Sequence, residues 1–208
     1  MRKVPFFNYQ QAFADYEELF LSITKNILNS GAFIMQDELA EFEKNLADYL
    51  GVKHVIGLAN CTDALHIAVR AAGIGSGDEV IVPSHTMVAS PAAIHFAGAT
   101  PVLVDCGEDH LIDPDSVLSA ITDKTKWFIF NSPSNPSGAA YTADELKKLT
   151  DVLMRYPDVW ILTDDMYEHL VYDNFTFATP AQVEPSLYDR TLTMNGVSKA
   201  YAMTGWRI

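Results

Sequence analysis

Residues 126–165 read KWFIFNSPSNPSGAAYTADELKKLTDVLMRYPDVWILTDD, and the order of patterns inside this stretch decides the fold. KWFIFNSP (126–133) opens with a continuous apolar run, the pattern of a strand covered on both faces. SNPSG (134–138) has turn composition. TADELKKLTDVLMRY (142–156) has helical spacing, and its Thr142 and Glu145 form a capping-box pair. VWILTDD (159–165) is a second apolar run. Strand, helix and strand in succession predict a parallel βαβ unit.

The same alternation extends in both directions. Upstream, KHVIGLAN (53–60) reads as a strand, TDALHIAVRAAG (62–73) as a helix and EVIVPS (79–84) as a strand. SPAAIHFAG (90–98) reads as a helix, TPVLVDC (100–106) as a strand and DPDSVLSAI (113–121) as a helix. Downstream, RTLTMN (190–195) is a last strand, reached through the long connection YDNFTFATPAQVEPSLYDR (172–190). The expected class is therefore α/β, a three-layer αβα sandwich with a mostly parallel sheet. The first fifty residues read as helices. In DELAEFEKNLADYLG (37–51), Leu39, Phe42, Leu46 and Tyr49 share one face, and Gly51 stops the helix. We expect an N-terminal helical arm over 1–50 and the sheet domain over 51–208.

Composition narrows the function. The formal net charge of −13 leaves no basic surface to neutralise phosphates, which argues against nucleic acid and anionic membranes as partners. Cys61 and Cys106 lie in no CxxC or Cys/His ligand spacing, so neither a disulfide framework nor a metal site is expected. A reducing, cytoplasmic setting fits this. MRKVPFFNYQ has basic residues but no apolar region behind them, unlike a signal peptide. Val80 to Val104 contains no Asp, Glu, Lys or Arg, a length that fits a bilayer. Pro83, Pro91, Pro101, His85 and His95 interrupt it, and a buried strand, covered helix and second strand explain it better.

Ligands of such sheets gather at the carboxyl ends of the strands. At one such end CTDAL opens a helix, and the N–H groups around Cys61, Thr62 and Asp63 suit a phosphate, although Asp63 equally serves the helix dipole. Asn135 in SNPSG is also an ordinary turn residue. Asp164 and Asp165 suit a metal, a helix cap or solvated charge, and Asp164 and Tyr167 are spaced to approach one ligand from a short turn. Lys199 follows the last strand, and Arg207 follows it. Together, in this order, they meet the needs of pyridoxal 5′-phosphate. A lysine amine condenses with the aldehyde, a carboxylate keeps the pyridine nitrogen protonated, a phenol and an amide bond the ring oxygen, and an arginine takes the phosphate.

NSPSNPSG (131–138), LTDDMYEHLVYD (162–173) and NGVSKAYAMTGWRI (195–208) resemble the landmarks of class I aminotransferases of the fold-type-I superfamily, near the bacterial aspartate aminotransferases. The resemblance implies Lys199 as the cofactor-linked, proton-carrying lysine and Asp164 as the partner of the pyridine nitrogen. It also implies Tyr167 and Asn135 at the ring oxygen, Arg207 and Ser198 at the phosphate, and a structural Asp165. Residues 1–122 resemble the DegT/DnrJ/EryC1 family of sugar aminotransferases, through VPFFNYQ, the stretch 31–90 and GATPVLVDC (98–106). In both families CTDAL falls at the phosphate. Met87 falls where an aromatic ring commonly stacks on the pyridine, a face a thioether also covers, and Cys61 falls where glycine is common.

The two resemblances imply a hybrid joined near 120–127 and a large domain that lacks a C-terminal small domain. The implied function is amino transfer from an amino acid to a keto acceptor, either a 2-oxo acid or a nucleotide-linked keto sugar, by a homodimer. A cofactor-binding chain without turnover is the competing expectation, and a lyase or decarboxylase on the same fold is a third.

Overall fold

The structure is a computed structural model that describes residues 4, 8–31 and 34–206. The chain divides into two compact units, residues 1–57 and 58–208.

The first unit is helical among the described residues. It contains α1 (Tyr9–Ala14), α2 (Glu17–Ser30) and α3 (Asp37–Leu50). Gly51 ends α3 in the left-handed conformation, φ +68°, which costs glycine nothing. Of the apolar face expected on α3, Leu39 and Leu46 are half-buried while Tyr49 is 84% exposed. KHVIGLAN does not form the expected strand. A strand needs a ladder partner for its backbone groups, and here the Gly57 N–H instead donates to Glu43 Oε1 of α3 at 2.7 Å. Gly57 also fits closely on α3, where an added Cβ would stand 2.8 Å from Leu39 Cδ1.

The second unit carries the sheet. Its elements are α4 (Cys61–Ala71), β1 (Glu79–Pro83), α5 (Ala89–Phe96), β2 (Thr100–Val104), α6 (Pro114–Ala120) and β3 (Thr125–Asn131). They are followed by α7 (Ala143–Leu153), β4 (Trp160–Asp164), α8 (Pro180–Val183) and β5 (Thr191–Met194). The five strands are all parallel in the order β2-β1-β3-β4-β5. Thr142 caps α7 and closes the capping box with Glu145.

Strand periodicity divides the core into two layers. Ile81, Phe128, Phe130 and Ile161 face α6 and α7, packing with Val117, Leu146, Leu149 and Leu153. Val80, Val82, Ile129 and Leu162 face α4 and α5, packing with Leu65, Val69 and Ile94. The result is the expected three-layer sandwich. Helices on both faces explain why the strands read as continuous apolar runs. The uncharged stretch 80–104 resolves into β1, α5 and β2, and no helix among the described residues is long and apolar enough to cross a membrane.

β1 and β3 are neighbours, yet the chain leaves β1 for β2 on one side and later fills β4 and β5 on the other. That reversal opens a crevice at the carboxyl ends of the strands. Phe128 is fully buried at the sheet centre, so Phe128→Ala should cost about 3–5 kcal/mol in urea unfolding. Leu103→Ala, on the outer strand and 59% exposed, should cost under about 1 kcal/mol.

Candidate cofactor site

The register of β3, β4 and β5 aligns Asn131 with Asp164 and Asp164 with Met194, so the turns that follow start at one level. Asn131 closes β3 with a buried side-chain amide. It donates from Nδ2 to the Asp164 carbonyl at 2.9 Å and accepts from the Asn135 N–H at 2.8 Å. One side chain thus ties the Asn135 turn to the end of β4. From that turn Asn135 Nδ2 donates to the Tyr167 hydroxyl at 3.3 Å. The pairing of Asn135 with Tyr167 was legible as a shared role; Asn131, which holds Asn135 and the end of β4, was not. Its signal is a lone amide ending an apolar strand.

Asp164 lies on the α4/α5 side of β4, by the same alternation that turns Leu162 that way. Its carboxylate accepts one hydrogen bond, from the Met166 N–H at 3.3 Å, and makes no ion pair among the described residues. Burial pushes this carboxyl up to about 6. Asp165 points to the opposite face, where Thr163 and Thr179 donate their hydroxyls to it, and burial pushes it up to about 7.

The Lys199 segment leaves β5 through Asn195 and Gly196. Asn195 donates to Glu168 Oε1 at 2.5 Å and accepts at its carbonyl from the Cys61 thiol at 3.7 Å. Gly196 has no room for a side chain without displacement: an added Cβ would stand 2.9 Å from Met166 Cε and 3.3 Å from Cys61 Sγ. This approach brings the start of α4 against the lysine segment. The Lys199 amine lies 5.8 Å from the Tyr167 ring centre. The Ser198 hydroxyl is 4.0 Å from Met166 Sδ, and its carbonyl accepts from Thr204 at 3.1 Å. Sequence reasoning missed Glu168, Asn195 and Gly196, because their partners are set by tertiary contact.

At the start of α4, Asn60 is the cap. It accepts from the Asp63 N–H at 2.9 Å and donates to Asp63 Oδ2 at 2.7 Å, while Thr62 is exposed. Asp63 is therefore engaged as a first-turn helix charge. Met87 stands 50% exposed on the loop after β1. Arg207 lies outside the described residues.

A cofactor with a cationic ring nitrogen, an aldehyde and a ring oxygen fits this donor set. Asp164 offers a half-buried carboxylate with no cation beside it among the described residues, Lys199 an amine, and Tyr167 with Asn135 a paired hydroxyl and amide.

The family model of class I and II aminotransferases matches residues 24–208. The chain belongs to this family. Its cofactor is pyridoxal 5′-phosphate. The chain is 61% identical over 139 residues to an aspartate/prephenate aminotransferase of Cereibacter sphaeroides, covering 66% of this chain and 35% of that one. It is 54% identical over 174 residues to a probable aspartate/prephenate aminotransferase of Rhizobium leguminosarum bv. phaseoli, covering 81% and 42%. The crystal structure of an aromatic aminotransferase from Pyrococcus horikoshii superposes with a TM-score of 0.81 at 29% identity, covering 98% of this chain and 55% of that one. The chain thus spans about two fifths of the length of the curated relatives it matches.

The raised Asp164 carboxyl sets a stability signature. Its folded value, about 6, lies above the ordinary 3.8, so the folded state holds this proton more tightly than the unfolded one. The folded chain therefore loses stability as pH rises from about 4 through about 6. In cofactor-free protein, Asp164→Asn should remove this loss and raise stability at pH 7.5 by on the order of 2–3 kcal/mol. Paired pH-dependent melting curves of the two proteins measure the difference.

Proposed function

We propose that this protein transfers an amino group from an amino acid to a 2-oxo acid. The observation that carries this is a half-buried carboxyl that has no cation partner among the described residues, at the same strand ends as Lys199 and the Tyr167–Asn135 pair. Aspartate and prephenate are the substrates in the names of the related enzymes, and we take aspartate as the donor to test first.

When bound, the cofactor supplies an aldehyde that takes up amines and a protonated ring that accepts electron density from the substrate Cα. Asp164 holds the proton at the ring nitrogen, and the burial that leaves its carboxyl without a counter-charge strengthens that pairing. Tyr167 and Asn135, already paired with each other, would donate to the ring oxygen. Lys199 anchors the cofactor at its amine and, once released, moves the proton that leaves the substrate Cα. Ser198, Arg207 and the N–H groups of the α4 start at Cys61 and Thr62 would take the phosphate, while Asp63 stays engaged with Asn60. Met87 covers one face of the ring.

The family match runs across residues 120–127 and supports a 2-oxo acid over a nucleotide-linked keto sugar as acceptor. The same reading takes the working form to be a cytoplasmic homodimer. Cofactor binding without turnover remains the competing reading, and the two are separable.

With added pyridoxal 5′-phosphate, borohydride should fix the cofactor on Lys199, read by peptide mass. Lys199→Ala should lose the label and cut turnover of aspartate with 2-oxoglutarate by about 10³-fold or more. Labelling of another lysine sinks the site assignment. Labelling of Lys199 without turnover leaves a cofactor-binding chain.

A further inference from the structure

Asp165 has no part in the chemistry above, yet it is the most heavily tied residue of the β4 turn. Its carboxylate accepts from the Thr163 hydroxyl of its own strand and from the Thr179 hydroxyl at 3.1 Å, at the far end of the connection that leaves Leu170. Its N–H donates to the Met194 carbonyl of β5 at 2.9 Å, and its carbonyl accepts from the Glu168 N–H at 3.0 Å. Four atoms of one residue therefore join β4, β5, the Tyr167 turn and the cap of α8. Asp164, by contrast, has a single bond on its carboxylate, from Met166. Its aim is set by the backbone on either side. Asn131 holds that backbone on the β3 side, through the Asp164 carbonyl. Asp165 holds it from behind.

A filler of this volume would not need to be an acid. Asp165 is 3% exposed, and an apolar residue there would avoid the desolvation cost of a buried carboxyl. Among the described residues the charged groups that face it are Asp164 and Glu168, both acidic, and no ion pair compensates. What the carboxyl supplies is two acceptors at a fixed angle.

We propose that Asp165 is a positioning residue of the cofactor site, which through Thr163 and Thr179 fixes the turn that aims Asp164 and Tyr167. The proposal rests on the assignment of Asp164 as the partner of the ring nitrogen.

The test compares wild type, Asp165→Asn, Asp165→Ala and Thr179→Val as full chains, with pyridoxal 5′-phosphate alone as the probe. Two quantities are read: the dissociation constant, and the pH midpoint of the bound cofactor's absorption change. Asp165→Ala should weaken binding about 10-fold or more and shift the midpoint by about half a pH unit or more, because Asp164 no longer faces the ring nitrogen. Asp165→Asn keeps an acceptor for Thr163, and its amide can donate to Thr179, so it should restore both quantities to within about 3-fold and 0.2 unit.

A residue that only stabilises the fold would lower the melting temperature and leave the midpoint unmoved, and that result overturns the proposal. So does an Asp165→Asn protein that fails as badly as Asp165→Ala, which would make charge rather than geometry the contribution. If Asp165→Ala does not fold, Thr179→Val decides: it should shift the midpoint in the same direction, and an unchanged midpoint overturns the proposal. Absence of the Lys199 label in wild type would sink the site assignment itself. A Lys199 label with an unmoved midpoint sinks only the role of Asp165.

Discussion

The site depends on the alignment of three strand ends. Asn131, Asp164 and Met194 stand side by side in the parallel register of β3, β4 and β5. Parallel strands send every following turn to the same side of the sheet, so groups far apart in the chain meet there. Asn131 locks two of these ends with its amide, and the Asp165 N–H locks the third through Met194. A slip of one residue in β4 would exchange Asp164 and Asp165 between the two faces. One acid would then lose its hydroxyl partners and the other its outlook toward α4.

The two adjacent carboxyls show how position separates chemistry from support. Asp165 is buried and Asp164 half-buried, and desolvation raises both. Asp165 has two hydroxyl donors and no opening. Asp164 has one backbone donor and no cation among the described residues. A desolvated carboxylate left without a counter-charge is costly to the protein by itself and favourable to a cationic ligand. The strain in electrostatic terms lies where the cofactor's ring nitrogen would relieve it.

The helix that meets the lysine segment adds a steric constraint. Gly196 lets the chain pass between Met166 and Cys61, and the Cys61 thiol reaches the Asn195 carbonyl. Glu168, one residue past Tyr167, holds Asn195 from the other side. The same turn therefore carries Tyr167 and steadies the strand exit that leads to Lys199. Membership in the class I and II aminotransferases fits this economy, and the match from residue 24 to 208 includes every one of these segments.

The class of the fold was legible because strands buried on both faces leave continuous apolar runs, and because Thr142 with Glu145 and Gly51 mark helix ends through local chemistry. Motif order likewise sufficed for the class I and II family, its cofactor, and the pairing of Asn135 with Tyr167, whereas the sugar-aminotransferase resemblance of residues 1–122 found no such support. The sequence could not decide that KHVIGLAN would stay unpaired, since a strand exists only where a neighbour takes its hydrogen bonds, and Glu43 takes the Gly57 N–H instead. Nor could it separate Asp164 from Asp165, two identical side chains in adjacent positions. Only the sheet, by giving its two faces different neighbours, made one a candidate partner for a cofactor and the other an anchor.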